Sequence, residues 1–109
     1  MRTLLFNVKG QSIYPNSQAD ISGLVAGTEG YIRAKFRFSD DWNGCVRVVG
    51  FYSLDGKEFA PQRLDKENSC DIPSEALEYH EFEMRVLGKS KNYIIITAPI
   101  RIRQFGGKK

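Results

Sequence analysis

The chain has 109 residues, enough for one domain that buries a single core without disulfide or metal staples. Hydrophobic residues make up 41% and charged residues 27%, ordinary for a globular fold, and no stretch nears the roughly 18 continuous apolar residues of a membrane span. A net charge of +3 permits contact with acidic surfaces but falls short of a nucleic-acid footprint, which needs clustering as well as sign.

Thr3 to Lys9 is predicted as the first strand, with Leu4, Phe6 and Val8 on one face, and Gly10 ends it. Polar residues break the Leu4–Phe6 stretch at once, so no signal-peptide pattern is present, and the expectation is a chain made and folded in a cytoplasm. Tyr14-Pro15-Asn16-Ser17 reads as a loop, and Ala19 to Val25 as a short edge strand or irregular segment. The clearest strand follows: Tyr31 to Phe38 alternates apolar Ile32, Ala34, Phe36 and Phe38 with basic Arg33, Lys35 and Arg37.

Beyond the turn at Ser39–Gly44, Cys45 to Tyr52 is predicted as a strand with Val46 and Val48 inward and Arg47 outward. Gly50 within it suggests a bulge or a close backbone approach. Asp55-Gly56 has the form of a type I′ hairpin turn, with a return strand from about Glu58 to Leu64 held to an edge by Pro61. Asp65–Asn68 makes a second turn into a short strand ending at Ile72, and Pro73–Leu77 has the form of one helical turn. His80, Phe82, Met84 and Val86 then alternate with Glu81, Glu83 and Arg85. A turn at Gly88–Asn92, a strand at Tyr93–Thr97 and another at Ile100–Arg103 complete the pattern. Seven or eight short strands with turns between them predict an all-β fold, an antiparallel β-sandwich of Ig-like or jelly-roll-like form, over residues 1–104. Residues 105–109 are expected to form a flexible tail.

Chemistry is harder to find. His80 is the one histidine, sits at the inward parity of its strand and is best explained as a structural imidazole. No Gly-x-Ser-x-Gly elbow, phosphate loop or dinucleotide fingerprint occurs, and Glu81 with Glu83 fits a solvated strand face. The expectation is therefore a non-enzyme without metal or cofactor. Cys45 and Cys70 have no metal-ligand spacing and are expected to be free thiols.

The candidate partner-binding residues are Tyr31, Arg33, Lys35, Arg37, Arg101, Arg103 and Trp42. If the strands carrying the arginines adjoin, they form a basic sheet face on which Tyr31 could stack a base or sugar, although Glu81 and Glu83 would neutralise part of it. Nucleic acid is the disfavoured occupant; an acidic protein partner or a solvated face is preferred. For Trp42, a plug folded back at the sandwich end is preferred to an exposed sugar-stacking platform.

Three segments in order carry a resemblance: Phe36-x-Phe38-Ser39-x-x-Trp42-x-Gly44, Cys70-x-Ile72-Pro73-x-Glu75-x-Leu77, and Val86-x-Gly88 before a strand. Over about Asn7 to Gln104 the chain resembles small all-β structural proteins and N-terminal modules of tailed bacteriophages and prophages of Gram-positive-type bacteria. It departs from them at Thr97-Ala98-Pro99, where a Thr-Thr-Asn-like segment is usual, and at Cys45, where an apolar residue or Lys is usual. The resemblance implies a virion structural accessory protein (head decoration, head fibre or tail-associated) that binds capsid or tail proteins, and itself if oligomeric, with no membrane contact. It brings no catalytic residues. Two other expectations are kept beside it: a carbohydrate-binding module using Trp42 with Tyr52 or Tyr31, and a small phage inhibitor of a host factor.

Overall fold

A computed structural model describes residues 1–109. Nine strands run in the order β1 (Arg2–Lys9), β2 (Ser12–Pro15), β3 (Ile32–Phe38), β4 (Val46–Tyr52), β5 (Gln62–Arg63), β6 (Ser69–Asp71), β7 (Glu81–Lys89), β8 (Ile94–Ile96) and β9 (Ile100–Arg103). They form two sheets, β2-β1-β3-β6 and β5-β4-β7-β8, with β9 beside the first half of β7 and β8 beside its second half. The fold is an all-β sandwich. Its only helical turns are short 3-10 segments at Gln18–Ile21, Asp40–Trp42 and Ala76–Glu78, the last overlapping the turn expected at Pro73–Leu77, with the Ala76 and Leu77 N–H groups donating to Pro73 O.

The core lies between the sheets because alternation sends every second side chain inward. Leu4, Phe6, Val8, Ile32, Ala34 and Phe36 enter from the first sheet; Val49, Phe51, Phe82, Met84, Val86 and Ile102 enter from the second. Phe6 and Phe36 stack at 5.5 Å, and Phe51 meets Phe82 at 6.5 Å.

Several local expectations give way: Tyr14 and Pro15, expected in a loop, belong to β2, and the return strand expected over Glu58–Leu64 is confined to Gln62–Arg63. The sandwich is not antiparallel throughout: β1 and β3 pair in parallel, from Arg2 opposite Ile32 to Val8 opposite Phe38. Alternation sets which face a residue takes but not the direction of the strand, and the crossover through residues 16–31 is long enough to bring the chain back. In β4 the parity is reversed: Val49 and Phe51 are fully buried while Val46 is 49% exposed. The adjacent valines made both parities readable, and burying Phe51 decides between them. Asp55-Gly56 is not a type I′ turn, because only Gly56 of the pair has positive φ (91°). The Gly56 N–H donates to Ser53 O, and the returning chain meets β4 at the Tyr52–Glu58 bridge before β5.

The tail, too, departs from expectation: it is tied down rather than loose. Phe105 donates its N–H to Leu24 O and accepts at its carbonyl from Ala26 N–H, while Lys108 donates its N–H to Glu78 O and accepts at its carbonyl from His80 N–H. Ala19–Val25 is irregular apart from its 3-10 turn, and Arg2 Nη2 donates to the carbonyls of Ala19, Asp20 and Ser22 along it. Gly88 belongs to β7, not to the following turn, and pairs with Arg47 on one side and Ile95 on the other.

Candidate binding surfaces

The basic residues do not form one face. Arg33, Lys35 and Arg37 point outward from the first sheet, whereas Arg101 and Arg103 point outward from the second, with the core between them. Arg33 is held by Asp71 at 2.6 Å and Asp65 at 3.2 Å. The N–H groups of Ser69 and Glu67, followed by Arg33, keep the Asp65 carboxyl below its ordinary range. Across β7 and β9, Arg101 reaches Glu81 and Glu83 at 3.7 and 3.6 Å, and Arg103 reaches Glu81 at 3.1 Å. These are cross-strand ion pairs, as the alternating acids and bases predicted. Lys35 and Arg37 are exposed, and Tyr31, at the head of β3, is 50% exposed.

Arg47 takes the inward parity of β4 at the end of the sandwich. Its guanidinium lies 4.2 Å from the centre of the Phe38 ring and donates to Trp42 O and Asn68 Oδ1. Arg47 therefore contributes to the plug, not to a basic surface.

Trp42 is fully buried and is removed from the set of surface residues. Its ring packs against Phe38 at 5.2 Å, and Nε1–H donates to Gly10 O at 2.9 Å. Gly88 makes the space: a β-carbon there would lie 2.6 Å from the indole. The plug forms because the indole loses a large apolar area to the core while its one polar atom keeps a partner. Tyr52 folds over Gly50, where a β-carbon would meet its ring, and Arg85 lies 5.0 Å from the ring centre on the outer side. Gly50 is thus the close approach expected of it, without a bulge. With Trp42 buried and Tyr52 covered, the sugar platforms considered from sequence are reduced to Tyr31.

A surface the sequence reading passed over lies on the outer face of the second sheet. The register places Val48, Leu87 and Ile96 in one row and Val46, Lys89 and Ile94 in the next. Ile94 is 61% exposed, and Leu87 and Ile96 are each 38% exposed. The signal was the triplet Ile94-Ile95-Ile96: when three consecutive strand residues are apolar, both faces are apolar, and only Ile95 packs against the core.

At the opposite end of the sandwich, a cleft of about 460 Å³ is lined by Ser53, Leu54, Asp55, Tyr79, His80, Glu81, Lys108 and Lys109. Most of its polar groups are engaged in the fold. His80 Nδ1 lies 3.1 Å from Gly106 O, Asp55 accepts from the Ser53 hydroxyl, Lys108 pairs with Glu78, and Glu81 with Arg101 and Arg103. The Ser53 hydroxyl is the main cause holding the Asp55 carboxyl below its ordinary range. His80 ties the tail to β7, the structural place expected of it. Cys45 and Cys70 are free thiols; Cys70 on β6 is buried, which pushes its pKa up to about 12.

Against protein-family models, curated proteins and solved structures, the chain has no match.

Proposed function

We propose that this sandwich is an accessory structural protein of a tailed-phage virion, bound to head or tail proteins through its surface, with head decoration or head fibre preferred to the tail. The observation that carries the binding part is the apolar half of the outer face of the second sheet, where Val46, Leu87, Ile94 and Ile96 stand exposed together. Contiguous exposed apolar side chains on a small domain mark contact surfaces. The virion part is supported by the three ordered motifs around Trp42, Ile72 and Gly88. A lattice-bound protein repeats one modest contact many times, so a small face per copy suffices.

The test is a density gradient of lysate from cells carrying the phage genome. Co-migration of the protein with particles in many copies is the expected result. Protein that stays wholly in the soluble fractions refutes the virion assignment.

A further inference from the structure

The outer face of the first sheet carries cations that the fold leaves uncompensated. Lys35 and Arg37 follow each other on β3, and the parallel register sets Arg37 beside Asn7, with Lys9 one row beyond. All three cations are exposed, and none has a carboxylate within ion-pair distance. Of the neighbouring acids, Asp71 and Asp65 hold Arg33, and Asp65, whose field also reaches Lys35, accepts from the N–H groups of Glu67 and Ser69. Asp41, past the end of β1, accepts from the Ser39 hydroxyl, and Glu67, in the turn before β6, pairs with no cation. The cluster keeps a positive excess. Around it the face is polar. One row runs Tyr14, Asn7, Arg37 across β2, β1 and β3; Tyr14 is 38% exposed, and Asn7 Nδ2–H donates to Asn16 Oδ1. Leu5, half-buried, is the one aliphatic side chain among the outward residues of these strands.

From this we infer that the first sheet binds single-stranded nucleic acid, with phosphates along Lys35, Arg37 and Lys9 and bases laid over β1 and β2 toward Tyr14. The inference is separate from the virion reading and uses the sheet opposite the apolar patch. Same-face residues of a strand recur about 6.7 Å apart, close to the spacing of successive phosphates on an extended nucleotide chain. Tyr14 lies two strands, about 10 Å, from Arg37, so a base whose phosphate sits on Arg37 reaches over Asn7 to the phenol ring. A cationic track beside an aromatic platform is the general means of holding a single strand. An acidic protein fits this face less well, because protein interfaces put apolar anchors at the centre and charges at the rim, and here the cations are central. A duplex fits less well too, since a flat face offers no element to enter a groove. The neutralisation expected from sequence falls on the second sheet, where Glu81 and Glu83 pair with Arg101 and Arg103.

The experiment follows the fluorescence anisotropy of a labelled oligothymidylate of about twelve nucleotides as the full chain is added, at a series of salt concentrations. Binding is expected at low salt, with log K falling against log salt at a slope of about −2 from three phosphate contacts. In a Lys35→Gln/Arg37→Gln variant the slope should shrink to about −0.7, while Arg63→Gln, on the other sheet, leaves affinity and slope unchanged. An abasic oligomer of equal length should bind about tenfold more weakly, as should oligothymidylate to Tyr14→Ala. Unchanged tryptophan emission shows that each variant is folded. No binding at low salt, or an unaffected double variant, overturns the inference. Polyglutamate of equal charge binding as tightly overturns it and assigns the face to an acidic protein. Equal binding of the abasic oligomer, or no loss in Tyr14→Ala, overturns it as well.

Discussion

A β-carbon at Gly88 would sit 2.6 Å from the Trp42 indole, so Gly88→Ala is expected to lower stability by about 1–3 kcal/mol through overpacking. Urea melts followed by tryptophan fluorescence measure the loss, and a red-shifted native emission would report the displaced plug. The cysteines differ in the same local way. Cys70 is buried with its thiol held protonated, whereas Cys45 is half-buried, so iodoacetamide should modify Cys45 in the native protein and Cys70 only in denaturant. Equal labelling of both in buffer would contradict the packing of β6. Asp65 adds a pH dependence. Its folded pKa lies below the ordinary 3.8, so its stabilising contribution is complete above that value and is lost as pH falls through the lower folded one. Asp65→Asn should therefore bring the melting temperatures at neutral and strongly acidic pH closer together. Burial of Trp42 was legible from residue type and position alone. The inward turn of Arg47 was not, because a guanidinium that covers Phe38 and caps two acceptors has no one-dimensional signature.

Strands with strict alternation, β1 and β3, were placed within a residue and β7 within three, since one face of each had to be buried. Where apolar residues run together, in Val48-Val49 and Ile94-Ile95-Ile96, parity and exposure were set by what lay across the core. The direction of β3 relative to β1 was invisible for the same reason: a face pattern is unchanged when a strand is reversed. The ion pairs between β7 and β9 could be anticipated from sequence, but the placement of the two basic strands on opposite sides of the core could not. Element-level behaviour can be checked at β8. Hydrogen exchange should be slow at the Ile95 amide, which faces β7, and fast at the Ile94 and Ile96 amides, which face the open edge. Similar protection at all three would mean that a neighbour already covers the edge.

As a whole, the molecule is elongated, about 42 Å by 26 Å by 21 Å, and its two ends differ. One end carries the Trp42 plug, Lys89 and the apolar patch. At the other, the β1 entrance and residues 105–108 are seated on the crossover between β2 and β3 and on the segment before β7. Removing residues 105–109 deletes the four backbone hydrogen bonds made by Phe105 and Lys108, and the truncated chain should lose about 2–6 kcal/mol in chemical denaturation, from some 0.5–1.5 kcal/mol per bond. An unchanged midpoint would return the tail to the flexible state expected of a chain end. Because Arg2 and Phe105 both anchor to that crossover, any peptide or domain fused at either extremity hangs from the pole opposite Ile94. Cargo attached there would face outboard by up to the full length of the long axis, leaving the docking half unobstructed, which makes the fold a natural handle for display.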